Sequence, residues 1–332
     1  MSHQKLSSDE LKSILQFITT VARKAGDLIL EGSEAIQTTS SQETGVNEKK
    51  NSVDLVTEYD VRVEELIQRE LKEKYPNFKF IGEESYSAGK RDPLTDEPTF
   101  CVDPIDGTTN FVHGIPWVCV SMGLIYERRP VIGLIYNPFL NHLYTGIKGQ
   151  GAHLSRNNGE PRKLPLSSLP KPLLSLNGAV IAVEWGSDRN AASIDAKSLS
   201  FSRLAGDPEK GVALGKMAHS LRSLGSGALN CALVAQGAVD IYWEIGSWPW
   251  DVCAGIVLVQ EAGGVVTGSH RTLESTISTD QFGDVTEAVL TGRKYLLIRG
   301  ISDSQGEAGK DIQKRLLKEF YETVVDVAPQ YT

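Results

Sequence analysis

A chain of 332 residues with 40% hydrophobic and 23% charged residues can bury a large core, and that composition excludes wholesale disorder. Its net charge of -8, from Lys+Arg 34 against Asp+Glu 42 with no basic run, argues against gripping nucleic acid or an anionic membrane, so attraction for an anion has to be local. Four cysteines without a CxxC pair read as reduced core thiols, six histidines without HxH or HxxxH spacing argue against zinc, and no signal-like start or membrane-length apolar run is present, so a cytoplasmic protein is expected.

Ser7-Ser8-Asp9-Glu10 fits a capping box, and Leu11, Ile14, Leu15, Ile18, Ala22, Ala25 and Ile29 recur at helical spacing, which predicts a first helix to about Gly32. Residues 32–52 are polar and read as a mobile surface loop; Lys49 and Lys50 near its end are either solvated charge or a lid over a site. Residues 53–60 change from strand-like to a helix start, and Val63, Leu66, Ile67 and Leu71 carry a second helix that ends before Pro76. Asp60 falls in its first turn, where the helix dipole alone accounts for an acid. Residues 78–81 alternate as a strand. Gly82-Glu83-Glu84-Ser85 then places two carboxylates at the strand end before a loop, with an exposed acidic turn as the plainer alternative.

The densest chemistry lies in Asp103-Pro104-Ile105-Asp106-Gly107-Thr108-Thr109-Asn110-Phe111. The apolar run 99–102 puts Asp103 at the C-terminal end of a buried strand. Pro104 fixes one φ and Gly107 permits a left-handed turn, which brings Asp103 and Asp106 back to one point. Two carboxylates held that close repel unless a cation lies between them, and hard oxygen donors suit Mg²⁺. The N–H groups of Gly107, Thr108 and Thr109 follow at an expected helix start that favours phosphate. Asp-Pro and Asp-Gly are also ordinary turn formers, and most such turns bind nothing.

Residues 117–126 and 130–137 read as neighbouring antiparallel strands, and 143–145 with 151–154 continue the meander. The stretch 157–172, with Pro161, Pro165 and Pro170, is the expected boundary between an N-terminal lobe, 1–165, and a C-terminal lobe, 166–300, of one domain; 301–332 closes it with a terminal helix, centred on 308–327. The second lobe opens on strand 179–183 and a polar stretch to about Lys216 with no clear period. Ser223-Leu224-Gly225-Ser226-Gly227 then opens a small-residue helix, 228–235, before strand 239–244. Trp248-Pro249-Trp250-Asp251 starts a helix closed by Gly263-Gly264, and Asp251 there is readable as a cap.

Three motifs in this order, Gly82-Glu83-Glu84-Ser85, the 103–111 stretch, and Trp250-Asp251-Val252-Cys253-Ala254-Gly255 ending in Glu261-Ala262-Gly263-Gly264, resemble the inositol monophosphatase family over about residues 11–300. The resemblance implies an α/β fold, a layered αβαβα sandwich, usually homodimeric. It implies Mg²⁺-dependent, lithium-inhibited hydrolysis of a small phosphate monoester, foremost inositol monophosphate, with two or three Mg²⁺ ions. It also implies Glu83, Asp103, the Ile105 carbonyl, Asp106 and Asp251 as metal ligands, and Thr108 with Asp60 behind it as the pair that orients the attacking water. Glu83 joins these two as a catalytic residue. Gly107 and Thr108 would hold the phosphate; Glu244, with Gly227, Ser187 and Asp251, would meet the rest of the substrate, and Lys49 falls where a mobile-loop lysine occurs. No nucleophilic Ser or Cys is required, and no triad supports one.

Three departures from the family pattern surround the substrate rim: the longer loop before Lys49, the insertion-like 189–216 stretch and Trp248-Pro249. They leave open a sugar phosphate, histidinol phosphate or nucleotide phosphate as substrate. A non-catalytic regulatory relative would have no chemical need for Glu83, Asp103, Asp106, Thr108 and Asp251 together.

Overall fold

The capping box opens the chain as expected: Ser7 N donates to Glu10 Oε2 at 2.8 Å and Glu10 N to Ser7 Oγ at 3.3 Å. The computed structural model describes residues 6–38, 46–49 and 55–329. Helix α1 (Ser8–Thr38) runs past Gly32 rather than ending there. Gly32 is interior because Tyr59 packs against it, with a ring carbon 2.5 Å from where a Cβ would stand, and Ser33 and Ile36 extend the buried stripe. Part of the expected 32–52 loop is therefore helix. Another part is β1 (Val46–Glu48), antiparallel to β2 (Leu55–Thr57). Residues 39–45 and 50–54, Lys50 included, lie outside the described residues.

Next come α2 (Glu58–Lys74), β3 (Lys79–Gly82), α3 (Glu83–Ser87), β4 (Thr99–Asp106), α4 (Thr108–Val112), β5 (Cys119–Tyr126), β6 (Arg129–Asn137), β7 (His142–Ile147), β8 (Gly151–Arg156) and β9 (Arg162–Lys163). Strands β3 to β9 form a seven-stranded sheet in sequence order, antiparallel except for the β3–β4 pair. The chain then builds a second sheet from β10 (Val180–Val183), α5 (Ala191–Ala205), β11 (Ser220–Arg222), α6 (Gly227–Gln236), β12 (Ile241–Ile245), α7 (Pro249–Glu261), β13 (Val265–Thr267), α8 (His270–Thr276), α9 (Glu287–Leu290), β14 (Lys294–Ile298) and α10 (Gly309–Thr323). Its five strands run in the order β11-β10-β12-β14-β13. The 189–216 stretch without a clear period contains α5, capped by Asn190, whose Oδ1 accepts from Ser193 N at 3.0 Å. Its buried face is Ser193, Ala196, Lys197, Ser200 and Leu204, and so polar a face hides the helical stripe.

Strand alternation sorts the apolar side chains into three cores. One core joins α1 and α2 to the near face of the first sheet, through Phe100, Val102, Val120, Met122, Leu124, Ile132 and Leu134. A second fills the space between the sheets, where α6 and α7 meet Cys101, Cys119 and Ile135 on one side and Ala182, Tyr242, Tyr295 and Leu297 on the other. The third packs α5, α8 and α10 against Ile181, Val183, Ile241, Trp243, Leu296 and Ile298 on the outer face of the second sheet. The layers are therefore αβαβα. All four cysteines are buried and unpaired, and no helix among the described residues is long and apolar enough to cross a membrane.

Helix α7 lies so close to β6 that a Cβ at Gly133 would stand 2.1 Å from the Ala254 carbonyl oxygen. Because the obstacle is backbone, Gly133→Ala has to lift α7 off the sheet. The expected loss is about 1–3 kcal/mol, read from the urea midpoint. Activity should fall with it if α7 carries a working Asp251.

Candidate active site

Strand β4 is buried along its whole length. It passes Asp103 and continues to Asp106, beyond the strand end expected at Asp103. Pro104 has no N–H to give the ladder, so the β4–β5 register shifts between Asp103↔Ser121 and Asp106↔Cys119. Asp103 Oδ1 accepts from Ile105 N at 3.1 Å inside that irregularity. Gly107 then turns with φ 95, and a Cβ on it would meet Trp117 O at 2.9 Å and Gly225 O at 3.1 Å, so only glycine fits. In α4, Asn110 Nδ2 donates to Trp117 O at 2.9 Å and Leu224 O at 2.8 Å, which ties this turn to the loop before α6.

That tie aims the N-terminus of α6 at Asp106. Ser226 Oγ donates to Asp106 Oδ2, as does Ala228 N at 2.8 Å, while Gly227 N reaches Oδ1 at 3.2 Å. Burial pushes Asp106 up to about 6, against the lowering effect of these donors. Asp251 adds its like charge to the surroundings of Asp103, and Asp251 Oδ2 accepts from Trp248 N at 2.7 Å at the start of α7. Both are held well above the usual carboxylate range, by burial first and then by Glu83 and Asp106. The capping reading of Asp251 therefore holds, and the same side chain belongs to the acidic cluster.

Glu83 and Glu84 begin the short helix α3 rather than a loop. The buried Glu64 positions it, accepting from Glu84 N and Ser85 N, each at 2.8 Å. Lys49 reaches in from the β1 end to Glu83 Oε1 at 2.9 Å and Glu84 Oε1 at 2.7 Å. Burial opposes its charge, yet the two glutamates leave the ammonium well above its ordinary range. Asp60 is buried, not merely a surface dipole partner: its Oδ2 accepts from Thr57 N at 2.8 Å and Thr57 Oγ1 at 2.6 Å. Its Oδ1 lies 3.2 Å from Thr108 Oγ1, which is 3.1 Å from the Ile105 carbonyl oxygen. Burial pushes Asp60 up to about 6, with Glu83 adding to the rise.

Among the described residues, no three His, Cys, Asp or Glu side chains are gathered closely enough to enclose an ion as they stand. The donor chemistry nonetheless fits hard divalent cations. Asp103, Asp106 and Asp251 each feel the like charge of Glu83, all donors are oxygen, and Glu83 already pairs with the Lys49 ammonium. Divalent charge would relieve the repulsion that adds to burial in raising the three aspartates.

The cluster opens onto a cavity of about 570 Å³. Glu83, Lys49 and Asp251 line it, as do Gly227, Ser187 and Glu244, whereas Asp103 and Asp106 lie behind the wall. Glu244 is buried, with Oε2 accepting from Tyr242 OH at 3.0 Å and Oε1 from Ile245 N at 2.8 Å. Burial pushes its carboxyl up to about 7. Two further parts of the wall are seen in the structure, of which sequence reasoning placed only Trp248 at the rim. Glu184 accepts from Leu224 N at 2.7 Å and Asn230 Nδ2 at 2.8 Å. An aromatic wall joins Tyr86, Trp248 and Trp250: the two indoles stack at 5.3 Å and 13°, and Arg293 lies 3.8 Å over Trp248. The unusual Trp248-Pro249-Trp250 spelling was its only sequence signal.

The chain is similar to known proteins over most of its length. Residues 10–323 match the model of the inositol monophosphatase family. Protein qutG of Emericella nidulans is 42% identical over 324 residues, 95% of this chain and 94% of its own. Inositol monophosphatase 2 of Saccharomyces cerevisiae is 41% identical over 278 residues, 83% of this chain and 84% of its own. An inositol monophosphatase structure from Anabaena superposes with a TM-score of 0.65 at 28% identity, covering 92% of this chain and 96% of that one. With the layered fold, this chain belongs to the inositol monophosphatase family.

Proposed function

We propose that this protein is a Mg²⁺-dependent phosphatase of small monoesters and that inositol monophosphate is its preferred substrate. The observation that carries the reading is the opening of two acidic groups onto one cavity, the cluster at Glu83 and Asp251 and the separate carboxylate Glu244. Glu83, Asp103, the Ile105 carbonyl, Asp106 and Asp251 would hold the ions. Bound there, Mg²⁺ neutralises phosphoryl charge and makes water more acidic. Thr57 fixes Asp60, and Asp60 orients the Thr108 hydroxyl, which directs the attacking water. Gly107 and Thr108 N–H groups would hold the phosphate from behind the cavity lining at Thr109 and Asn110, and ionised Glu244 would accept from a substrate hydroxyl, with Ser187 and Gly227 lining the same cavity.

Lys49 closes the cluster from the β1 side by neutralising Glu83 and Glu84. Lys49→Met is expected to lower phosphate release at saturating Mg²⁺ by about tenfold, since a partly buried charged hydrogen bond carries about 1.5–3 kcal/mol. A steady-state Mg²⁺ titration measures both this loss and any change in metal requirement.

Glu244 gives the reading its pH signature. Its folded pKa of about 7 lies above the ordinary 4.5. Its contribution to stability is therefore full below 4.5 and lost as pH rises through 7. Glu244→Gln should unfold later than wild type at pH 8, with the gap closing near pH 4.5. KM for inositol 1-phosphate should fall in wild type as pH rises through about 7, and Glu244→Gln should lack that limb and show KM about tenfold higher. Unchanged KM in the variant would remove Glu244 from substrate recognition.

The aromatic wall favours a second reading, in which another small monoester, such as a sugar or nucleotide phosphate, outcompetes inositol phosphate. Turnover across a panel of such monoesters decides between the two.

A further inference from the structure

Helix α5 brings a lysine into the interior. Lys197 is 4% exposed, and its ammonium donates to two successive carbonyls, Glu184 O at 2.9 Å and Trp185 O at 2.7 Å. A buried ammonium is costly unless fully engaged. Here it is engaged by main chain, so it works as a strut for the backbone it holds. That backbone is the cavity lip, since residues 184–189 all line the cavity. The lip needs a strut because Gly186 turns with φ 66, and a Cβ there would stand 3.3 Å from Lys197 Nζ.

The strut connects to the rest of the site. The Glu184 carboxylate accepts from Leu224 N, Gly225 N and Asn230 Nδ2, and Leu224 O accepts from Asn110 of α4. Lys197 and the lip are thus joined to the loop before α6, whereas the turn at Gly107 keeps an anchor of its own, Asn110 Nδ2 to Trp117 O at 2.9 Å. Lys197 also exerts an attractive charge on Glu244, which the like charge of Glu184 opposes and the Tyr242 hydroxyl of β12 supports by a hydrogen bond, while Asp188 and Arg189 of the lip act on Lys197 itself, with opposite signs.

We infer that Lys197 is a positioning residue for substrate specificity: by fixing the 184–189 lip and supplying positive charge beside Glu244, it sets recognition of the hydroxyl-bearing half of the substrate and leaves the phosphoryl chemistry alone. The inference rests on the reading of this cavity as a polyol phosphate site.

The test compares wild type, Lys197→Met and Lys197→Arg on inositol 1-phosphate and on p-nitrophenyl phosphate, which offers no hydroxyl to Glu244. Lys197→Met is expected to raise KM for inositol 1-phosphate by about tenfold or more, with kcat within about threefold. Its kinetics on p-nitrophenyl phosphate should match wild type. Loss of the nearby charge raises the Glu244 pKa further, so the limb of the pH profile for inositol 1-phosphate moves to higher pH. Lys197→Arg, which keeps the charge, should hold that limb near wild type while KM falls between the two. If the methionine variant does not fold, the arginine variant decides on the same criteria, through a raised KM confined to inositol 1-phosphate. Unmoved KM, or an equal loss on both substrates, overturns the inference. Wild type that turns over both substrates without favouring inositol 1-phosphate contradicts the polyol reading itself and takes the inference with it.

Discussion

Asp103→Asn is expected to cut metal-dependent phosphate release by about a thousandfold while the fold survives. The side chain sits at the register shift in β4 and feels the like charges of Glu83, Asp106 and Asp251. In the proposed arrangement it would help hold the metal ions, and stabilising transition-state charge through metal is worth several kcal/mol, which corresponds to a factor of about 10³. The stability effect has the opposite sign. Burial first, and then the like charges of Glu83, Asp106 and Asp251, hold the Asp103 carboxyl well up. The neutral amide removes that repulsion, so the urea midpoint measured with chelator should rise. Retained activity would place the metal chemistry elsewhere, and a collapsed midpoint would make Asp103 a structural acid.

The largest loss of stability is expected from Arg299→Met. At the end of β14, Arg299 Nε donates to Asp240 Oδ1 at 2.6 Å, and its Nη1 donates to Gly300 O at 2.8 Å. Asp240 in turn accepts from Val180 N at 2.7 Å, where β10 begins. With side-chain exposures of 6% and 14%, the pair is too buried for solvent to compensate a lost partner. Breaking it by truncating one side costs about 3–5 kcal/mol. Because the uncompensated Asp240 charge makes up much of that cost, Arg299→Met with Asp240→Asn should recover part of it. Urea denaturation of both variants measures the difference; a loss under about 1 kcal/mol in the single variant would class the pair with exposed ion pairs.

The sequence made the site legible wherever chemistry and local backbone coincide. Asp103, Pro104, Asp106 and Gly107 predict a break in a buried strand rich in acids; the structure keeps both aspartates on β4 with a register shift between them, and the left-handed turn follows at Gly107. Strand alternation likewise exposed most of the sheet strands. Three features were hidden for definite physical reasons. Gly32 looks like a helix stop, yet its missing side chain is what admits Tyr59. Helix α5 buries serine, alanine and lysine, so its stripe does not read as apolar, although Ser193, Lys197, Ser200 and Leu204 recur at helical spacing. The buried role of Asp60 depends on Thr108, far along the chain, and no local pattern distinguishes it from a dipole partner.

The most direct test of the central proposal is phosphate release from inositol 1-phosphate and a panel of small monoesters, with Mg²⁺, with chelator, and with lithium added. Turnover that requires Mg²⁺, falls with lithium and favours inositol 1-phosphate is the expected result. Turnover that persists unchanged in chelator would contradict a metal-assisted mechanism built on Glu83, Asp103, Asp106 and Asp251.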